Sequence, residues 1–343
     1  MADFVLDFGN ARIKWFEPRQ NAQGDARHAI VQLTEAQWDA MIGRGKPAPG
    51  FLRVNGTPFA VGDAARRYII QERPKGASRY RETYYGVGLC YALAEGFKRS
   101  MRKVNLIASH PPIDIAYAPA LIAAAKKTWR VESVHGENEF DVTDVFTFDE
   151  PLGGYSHFVF TENGQEKKRN PLIALTTLVI DAGGYTVDVA AIDAGGEIDP
   201  ISLKSTRTGV LDVFEQFENE LRSNNSTMFQ DTGDVDAKKI EMSLLSGEFK
   251  FGKVSIDCRR EADAALNTFV NDVVQVINSA GGVANYDAML LTGGGAALIY
   301  DRLVEAMPRA DFILAEPTRG LMKYANVFGG AKLVAMLRRI GEL

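Results

Sequence analysis

The sequence predicts an α/β protein of two domains, each a sheet flanked by helices, and three junctions carry that prediction. Phe4-Val5-Leu6 runs into Asp7-Phe8-Gly9-Asn10-Ala11-Arg12-Ile13-Lys14. Leu178-Val179-Ile180 runs into Asp181-Ala182-Gly183-Gly184-Tyr185-Thr186-Val187-Asp188. Met289-Leu290-Leu291-Thr292 runs into Gly293-Gly294-Gly295-Ala296. Each is a short apolar run closed by glycine, the pattern of a buried strand ending in a tight turn. The first two are built alike and lie about half the chain apart. With 343 residues the chain is long for one core and comfortable for two.

A lone Asp-x-Gly after a strand is an ordinary hairpin turn. Two copies and a third glycine junction point instead to a phosphate ligand. Glycine lets the backbone come close and aim its N–H groups at phosphate oxygens. A carboxylate at each strand end suits Mg²⁺, which keeps several waters and takes few protein carboxylates. Asp7 and Asp181 are therefore the candidate metal ligands, through water, and candidate catalytic groups. Gly9, Asn10, Ala11, Gly183, Gly184, Tyr185, Thr186 and Asp188 are candidates for the phosphates. Asn10 can donate through its side-chain amide, Ala11 only through its N–H. Gly293, Gly294, Gly295 and Ala296 open a helical segment and suit a sugar, a base or an anion. Arg12 and Lys14 share one face of a strand, which fits a phosphate and is also what a plain solvent-facing strand shows.

Between these junctions the chain alternates strand and helix signals. Strands to about Trp15 lead through a polar region to a helix at Glu35 to Ile42, and Gly43 to Gly50 breaks the pattern. Tyr84 to Met101 reads as a helix despite its glycines, and Val104 to Ala108 as a strand ending at Ser109-His110-Pro111-Pro112. Pro119 to Thr128 is alanine-rich and helical, Val142 to Phe148 an apolar strand, and Asp149-Glu150-Pro151-Leu152-Gly153 follows. Val189 to Ile192 and Ile201 to Leu203 flank a glycine hairpin turn. After Gly209 a helix aligns Val210, Val213, Phe214, Phe217 and Leu221 on one face, and Asn224 to Gly233 reads as a polar loop. A short helix and the strand Lys253 to Asp257 precede a long amphipathic helix from about Arg259 to Ser279. Its buried stripe is Ala262, Leu266, Phe269, Val270, Val273, Val276 and Ile277. Residues 331–339 form the last expected helix.

Composition narrows the function classes. Hydrophobic content of 46% and charged content of 24% fit a soluble globular chain, so disorder is not expected. A net charge of -5 argues against a general nucleic-acid binder and leaves any DNA contact to a partner. Cys90 and Cys258 are too few for a disulfide framework, and His28, His110, His135 and His157 lack metal-ligand spacing. The N-terminus shows no charged leader, and no apolar stretch approaches the ~20 residues of a membrane span, so the expected location is the cytoplasm.

In their order along the chain, the three junctions resemble the first phosphate loop, the second phosphate loop and the adenosine loop of the superfamily of actin, the Hsp-type chaperones and hexokinase. A narrower resemblance is to bacterial actin-like proteins of the ParM and Alp type, whose second loop reads Asp-x-Gly-Gly-x-Thr-x-Asp, as residues 181–188 do. Phe51 to Ala64 also resembles their small strand pair with its following helix, and Tyr324 to Ala331 their second connecting segment. The chain departs from the pattern at Asn10-Ala11, where relatives place Ser or Thr, and at Ser109 to Pro112, where relatives often carry Gly-Leu-Pro.

The resemblance implies a two-domain actin-like ATPase fold, with duplicated ribonuclease-H-like domains and the nucleotide in the interdomain cleft. Domain I would be residues 1–150 plus 322–343 with a subdomain inserted at about 31–83, and domain II residues 151–321 with a subdomain at about 209–284. It implies ATP and Mg²⁺ as ligands. Glu150, before Pro-x-Gly, stands where relatives position the attacking water, and Lys14 where they reach the phosphates. On pattern alone Asp149 and Glu150 also fit a solvated pair at a strand end. Glu215 and Glu218 fall on the helix that relatives turn toward ribose and base. The implied activity is ATP hydrolysis coupled to homopolymeric filaments, acting on plasmid or other DNA through a DNA-binding adaptor, with no membrane partner. A sugar-type kinase and a monomeric chaperone or scaffold ATPase are the alternatives within the superfamily.

Overall fold

A computed structural model describes every residue except 44, 69–75, 99–102, 230–234 and 319, and in it the N-terminal apolar run is strand β1 (Ala2–Phe8). The described residues fall into two units, Met1–Asn170 with Tyr324–Leu343, and Pro171–Lys323. In the first, β1 is followed by β2 (Arg12–Glu17), β3 (Ala22–Arg27), β4 (Ile30–Gln32), helix α1 (Glu35–Ile42), β5 (Phe51–Val54) and β6 (Thr57–Val61). Then come α2 (Val87–Phe97), β7 (Lys103–His110), α3 (Ala118–Ala125), β8 (Thr128–Ser133), β9 (Gly136–Asp149) and α4 (Glu150–Val159). One nine-stranded sheet takes the order β3-β2-β1-β7-β9-β8-β5-β6-β4.

Both faces of β1 are covered, as its interior place in the sheet requires, because successive side chains leave opposite faces of a strand. Phe4, Leu6 and Phe8 share a core cluster with Leu89, Leu93 and Phe97 of α2. On the other face Val5 lies against Gly330 of the C-terminal helix. The glycines that argued against a helix at α2 are what let it press on this strand. A Cβ at Gly88 would meet the Phe8 ring at 2.2 Å, and one at Gly96 the Phe4 ring at 2.6 Å. The helix starts at Val87, after a wide turn at Glu82–Gly86, rather than at Tyr84. Its expected end at Met101 lies outside the described residues, as does part of the loop expected over Asn224 to Gly233. Helix α1 spans the expected residues and is closed by a reciprocal cap. Gln37 N donates to Thr34 Oγ1 at 3.2 Å, and Thr34 N to Gln37 Oε1 at 2.8 Å.

The second unit contains β10 (Thr177–Ala182), β11 (Val187–Ile192), β12 (Ile198–Thr206), α5 (Val210–Asn224), α6 (Ala237–Ser246), β13 (Glu248–Phe251), β14 (Val254–Asp257), α7 (Arg259–Ser279), β15 (Ala288–Thr292), α8 (Ala296–Ala306) and β16 (Phe312–Leu314). Its main sheet runs β12-β11-β10-β15-β16, and β13 pairs with β14 alone. Every residue of β10 is buried, as expected for a strand covered on both faces. The whole predicted stripe of α7 is buried, and so is that of α5 except for a half-buried Phe214. At the rim, β12 carries Pro200, and its neighbour Ile201 is 81% exposed. No helix among the described residues is long and apolar enough to cross a membrane.

The chain then returns to the first unit as α9 (Ala325–Ile340), which begins six residues before the expected helix (331 − 325 = 6) and packs on α4 and β1. The contact boundary falls at Asn170/Pro171 and not at 150/151, because α4 stays with the first unit under α9. Asp3 of β1 helps to hold α9. Its carboxylate accepts from Arg338 at 2.8 Å and from Asn105 at 3.1 Å. Burial pushes the Asp3 carboxyl up, but Arg338 and Asn105 outweigh it and hold it below the usual range. A lowered folded value means the pair stabilises above the ordinary carboxylate range and fades as pH falls. Asp3→Asn should therefore cost about 1 kcal/mol at neutral pH and less below about pH 4, read by urea denaturation at the two pH values.

Candidate functional site

In the first unit the carboxyl ends of three strands lie side by side. β1 and β7 run parallel with Asp7 opposite Ser109, and β7 and β9 run parallel with His110 opposite Asp149. Glu150 follows as the first residue of α4. This edge of an open α/β sheet is where ligands collect, since loops and helix starts converge there. Asp7 is 1% exposed. One of its oxygens takes Lys14 Nζ at 2.6 Å, while Oδ1 is buried with no hydrogen-bond partner among the described residues. A buried carboxylate oxygen without a donor is the arrangement a hydrated cation would satisfy.

The turn after β1 is fixed through its carbonyls. His28 N donates to Ala11 O at 3.0 Å, and His28 Nδ1 lies 2.8 Å from Gly9 O. Among the described residues the amides of Gly9, Asn10 and Ala11 make no hydrogen bond, which suits a phosphate. Arg12 is drawn to the side by an ion pair with Asp25, whose other oxygen accepts from Tyr324 at 2.5 Å. Of the two cations, Lys14 is the one placed on Asp7. Glu150 is 9% exposed, so the reading of a solvated pair does not describe it. Burial pushes the carboxyl of its neighbour Asp149 up, opposed by His110, whose Nδ1 stands 3.3 Å away.

The second unit repeats the plan with more glycine. Asp181, 2% exposed, stands opposite Asp188 across the β10–β11 hairpin and opposite Thr292 across the parallel pairing with β15. Gly183 N donates to Thr186 O at 2.8 Å and closes the turn. Asp188 accepts from Thr186 Oγ1 at 2.7 Å and from the hydroxyl of Ser205. The start of α5 rests on the same turn, with Val210 N on Gly183 O at 3.1 Å and Leu211 N on Gly184 O at 2.9 Å. Gly293 has φ +86°, and a Cβ there would lie 2.1 Å from Asp181 Oδ1. Gly295 N donates to Ala182 O at 2.9 Å, so the triple glycine backs directly onto the acidic turn. Gly294 is exposed and Ala296 is the buried first residue of α8. On α5, Glu215 is exposed, while Glu218 is engaged by Arg222 at 2.6 Å.

Each unit thus places an acidic glycine turn at the carboxyl end of an interior strand of its main sheet, and the candidates gather around these two turns. Residues 179–305 match the family model described as archaeal actin homologue MreB-like, C-terminal. No curated protein matches the chain by sequence. Among solved structures the chain is similar to the archaeal actin homologue Ta0583, with a TM-score of 0.72 and 18% identity over 98% of this chain and 99% of that one. The chain has the actin-like fold.

Other structures with the actin-like fold extend the comparison. A 15-stranded ParM filament from Clostridium botulinum gives a TM-score of 0.71 at 16% identity, over 97% of this chain and 99% of that one. Actin-like protein Alp7A gives 0.70 at 14%, over 98% and 96%. A structure of the archaeal homologue is a complex with ADP, at a TM-score of 0.70 and 17% identity over 97% and 99%. The ParM and Alp resemblance read from residues 181–188 holds at the level of the fold.

Several groups at the two turns were not singled out from sequence. Ser205 reaches Asp188 from β12, seventeen residues on, and only the strand pairing reveals it. His28 ties the first turn down from nineteen residues away. Gly209 had a legible signal, a glycine just before a helix, but its reason is a close approach. A Cβ there would lie 2.5 Å from Gly184 and Tyr185 backbone atoms.

Proposed function

We propose that this chain binds ATP with Mg²⁺, hydrolyses it and polymerises into filaments whose dynamics follow the nucleotide, moving plasmid or other DNA in the cytoplasm through a DNA-binding adaptor. The observation that carries the reading is the pair of buried acidic turns, Asp7 and Asp181, at equivalent places in the two units. The ADP complex of the archaeal homologue and the ParM filament support it from outside the chain.

In this reading the acidic turn of each unit is a phosphate-binding turn. In the first unit the amides of Gly9, Asn10 and Ala11 and the Lys14 ammonium would meet phosphate oxygens, and in the second unit those of the Gly183 to Thr186 turn would do so. Asp7 and Asp181 hold the Mg²⁺ through water, and the ion supplies charge neutralisation across the phosphates. Gly293, Gly294, Gly295 and Ala296 take the sugar and base side, with Glu215 as a further contact. Glu150 orients the attacking water, the one task besides charge neutralisation that phosphoryl transfer leaves to the protein. A γ-phosphate contacted by such a turn stabilises the conformation that binds it, and its loss removes that preference. Repetition of one heterologous contact between copies then gives an open filament.

Light scattering after addition of ATP and Mg²⁺, against an ADP control, tests assembly directly. Growth in scattering with ATP alone supports the filament; a flat trace with sugar-dependent ADP release identifies a kinase instead. Glu150→Ala is expected to slow phosphate release about 100-fold while ATP affinity changes less than about threefold. Equal loss of both would make Glu150 a structural residue.

A further inference from the structure

Arg79, on the turn Gly76–Tyr80, is 1% exposed, and a guanidinium that deep needs compensating charge. Its terminal nitrogen stands 2.6 Å from Asp114 Oδ2, and the Tyr80 hydroxyl donates to the same oxygen at 3.0 Å. The guanidinium carbon lies 4.7 Å from the centre of the Tyr80 ring. Asp114 alone would balance the charge. Yet Arg79 Nε is buried with no hydrogen-bond partner among the described residues, so the fork has a donor left after Asp114 is served.

A second buried carboxylate leaves the sheet beside Asp114. Asp114 lies on the turn Pro112–Tyr117, directly after β7, and Glu150 opens α4 directly after β9. β7 and β9 are parallel neighbours, so both carboxylates leave the sheet at one edge. Burial works against the Arg79 charge, but Tyr80, Glu150 and Asp114 outweigh it and hold the guanidinium raised. Burial likewise holds Tyr80 as a neutral phenol. The other ionisable groups at this edge include Asp7 with its partner Lys14, His110, Asp149 and Tyr85.

We propose that Arg79 is a positioning residue for Glu150, its cation braced by Asp114 and Tyr80 so that the Glu150 carboxylate stays ionised and aimed at the attacking water. This deepens the role given to Glu150 above and rests on it. One cation is shared between two carboxylates. Removing it leaves two buried like charges, one of which then takes up a proton more readily. Removing Asp114 instead leaves the cation to Glu150 alone.

The full-length chain tests this through single-turnover ATP hydrolysis against pH, with ATP affinity measured separately. Arg79→Met should slow hydrolysis at least about tenfold and move the acid limb of the profile up by about one pH unit, with affinity within about threefold. Arg79→Lys should restore much of the limb. Asp114→Asn should move the limb the opposite way, to lower pH, a sign that general damage to the fold would not produce and that remains readable if Arg79→Met does not fold. In a Glu150→Gln background Arg79→Met should add no further loss. An unmoved limb in Arg79→Met, a limb moving up in Asp114→Asn, or an undiminished second loss in Glu150→Gln overturns the proposal. Full activity in Glu150→Gln overturns the role of Glu150 itself, and this inference with it.

Discussion

Gly329→Val is expected to cost the first unit about 3 kcal/mol or more, a large part of the stability of an ordinary domain. A Cβ at Gly329 would lie 1.7 Å from Gly153 O and 2.9 Å from His157 N. Both obstacles are backbone atoms of α4, so no side-chain rotation relieves them. The contact is reciprocal, since a Cβ at Gly153 would come within 3.0 Å of Asn326 Cα and O. α4 and α9 therefore touch backbone to backbone, and a branched side chain at Gly329 forces them apart. That separation also opens the face of β1 on which Gly330 meets Val5. Urea denaturation followed by near-UV circular dichroism measures the loss. A midpoint equal to that of the parent chain would mean the helices can part at no cost.

Gly293→Ala is expected to lower ATP affinity at least about 100-fold while most of the second unit stays folded. Two effects combine at this position. A left-handed backbone costs a non-glycine residue about 1–2 kcal/mol, and the new methyl collides with Asp181 Oδ1 and with Ala182 O. The collision displaces the carboxylate that the proposed ligand needs. Gly196→Ala provides the control, because Gly196 has φ +83° but open space around its missing Cβ. It should show the backbone cost in thermal melting and leave affinity unchanged. If both variants bind ATP equally well, Asp181 does not hold the nucleotide.

The parts of the fold that could be read from sequence are those where burial dominates the residue choice. β1, β10 and β15 each carry an unbroken apolar run, Phe4-Val5-Leu6, Leu178-Val179-Ile180 and Met289-Leu290-Leu291, and α7 carries a full stripe of apolar residues, so periodicity alone places them. Most strands whose side chains meet water were not legible, the exposed β14 excepted. The first half of β9, Gly136 to Asp141, is mostly polar, and β3 reads Ala-Gln-Gly-Asp-Ala-Arg; pairing with β8 and β2 makes them strands. β13 was missed for the same reason and exists as the partner of β14. The start of α9 was hidden by Gly329 and Gly330, which look like breakers until α4 and Phe148 are found against them.

The site divides along the same line. The acidic turns are local in sequence and were visible, because the carboxylate, the glycines and the strand sit within a few residues. Arg79 was not, since nothing in Ser78-Arg79-Tyr80 announces a partner at Asp114, thirty-five residues away. Glu150 was found through its neighbours Pro151 and Gly153, and its burial only through the structure. Lys14 and Arg12 looked alike on one strand face; their separate partners, Asp7 and Asp25, distinguish them.

Pro200 on β12 has a bearing on how copies of this protein can meet. A strand at a sheet's margin invites a stranger's strand to zip onto its unpaired amides and carbonyls, and proline removes the amide that such zipping requires. The opposite margin of that sheet, β16, is three residues long, as is β4 in the larger sheet. Accretion of sheets into amyloid-like ribbons is thereby discouraged despite the bare isoleucine beside Pro200, and orderly self-association is left to faces that dock through side chains.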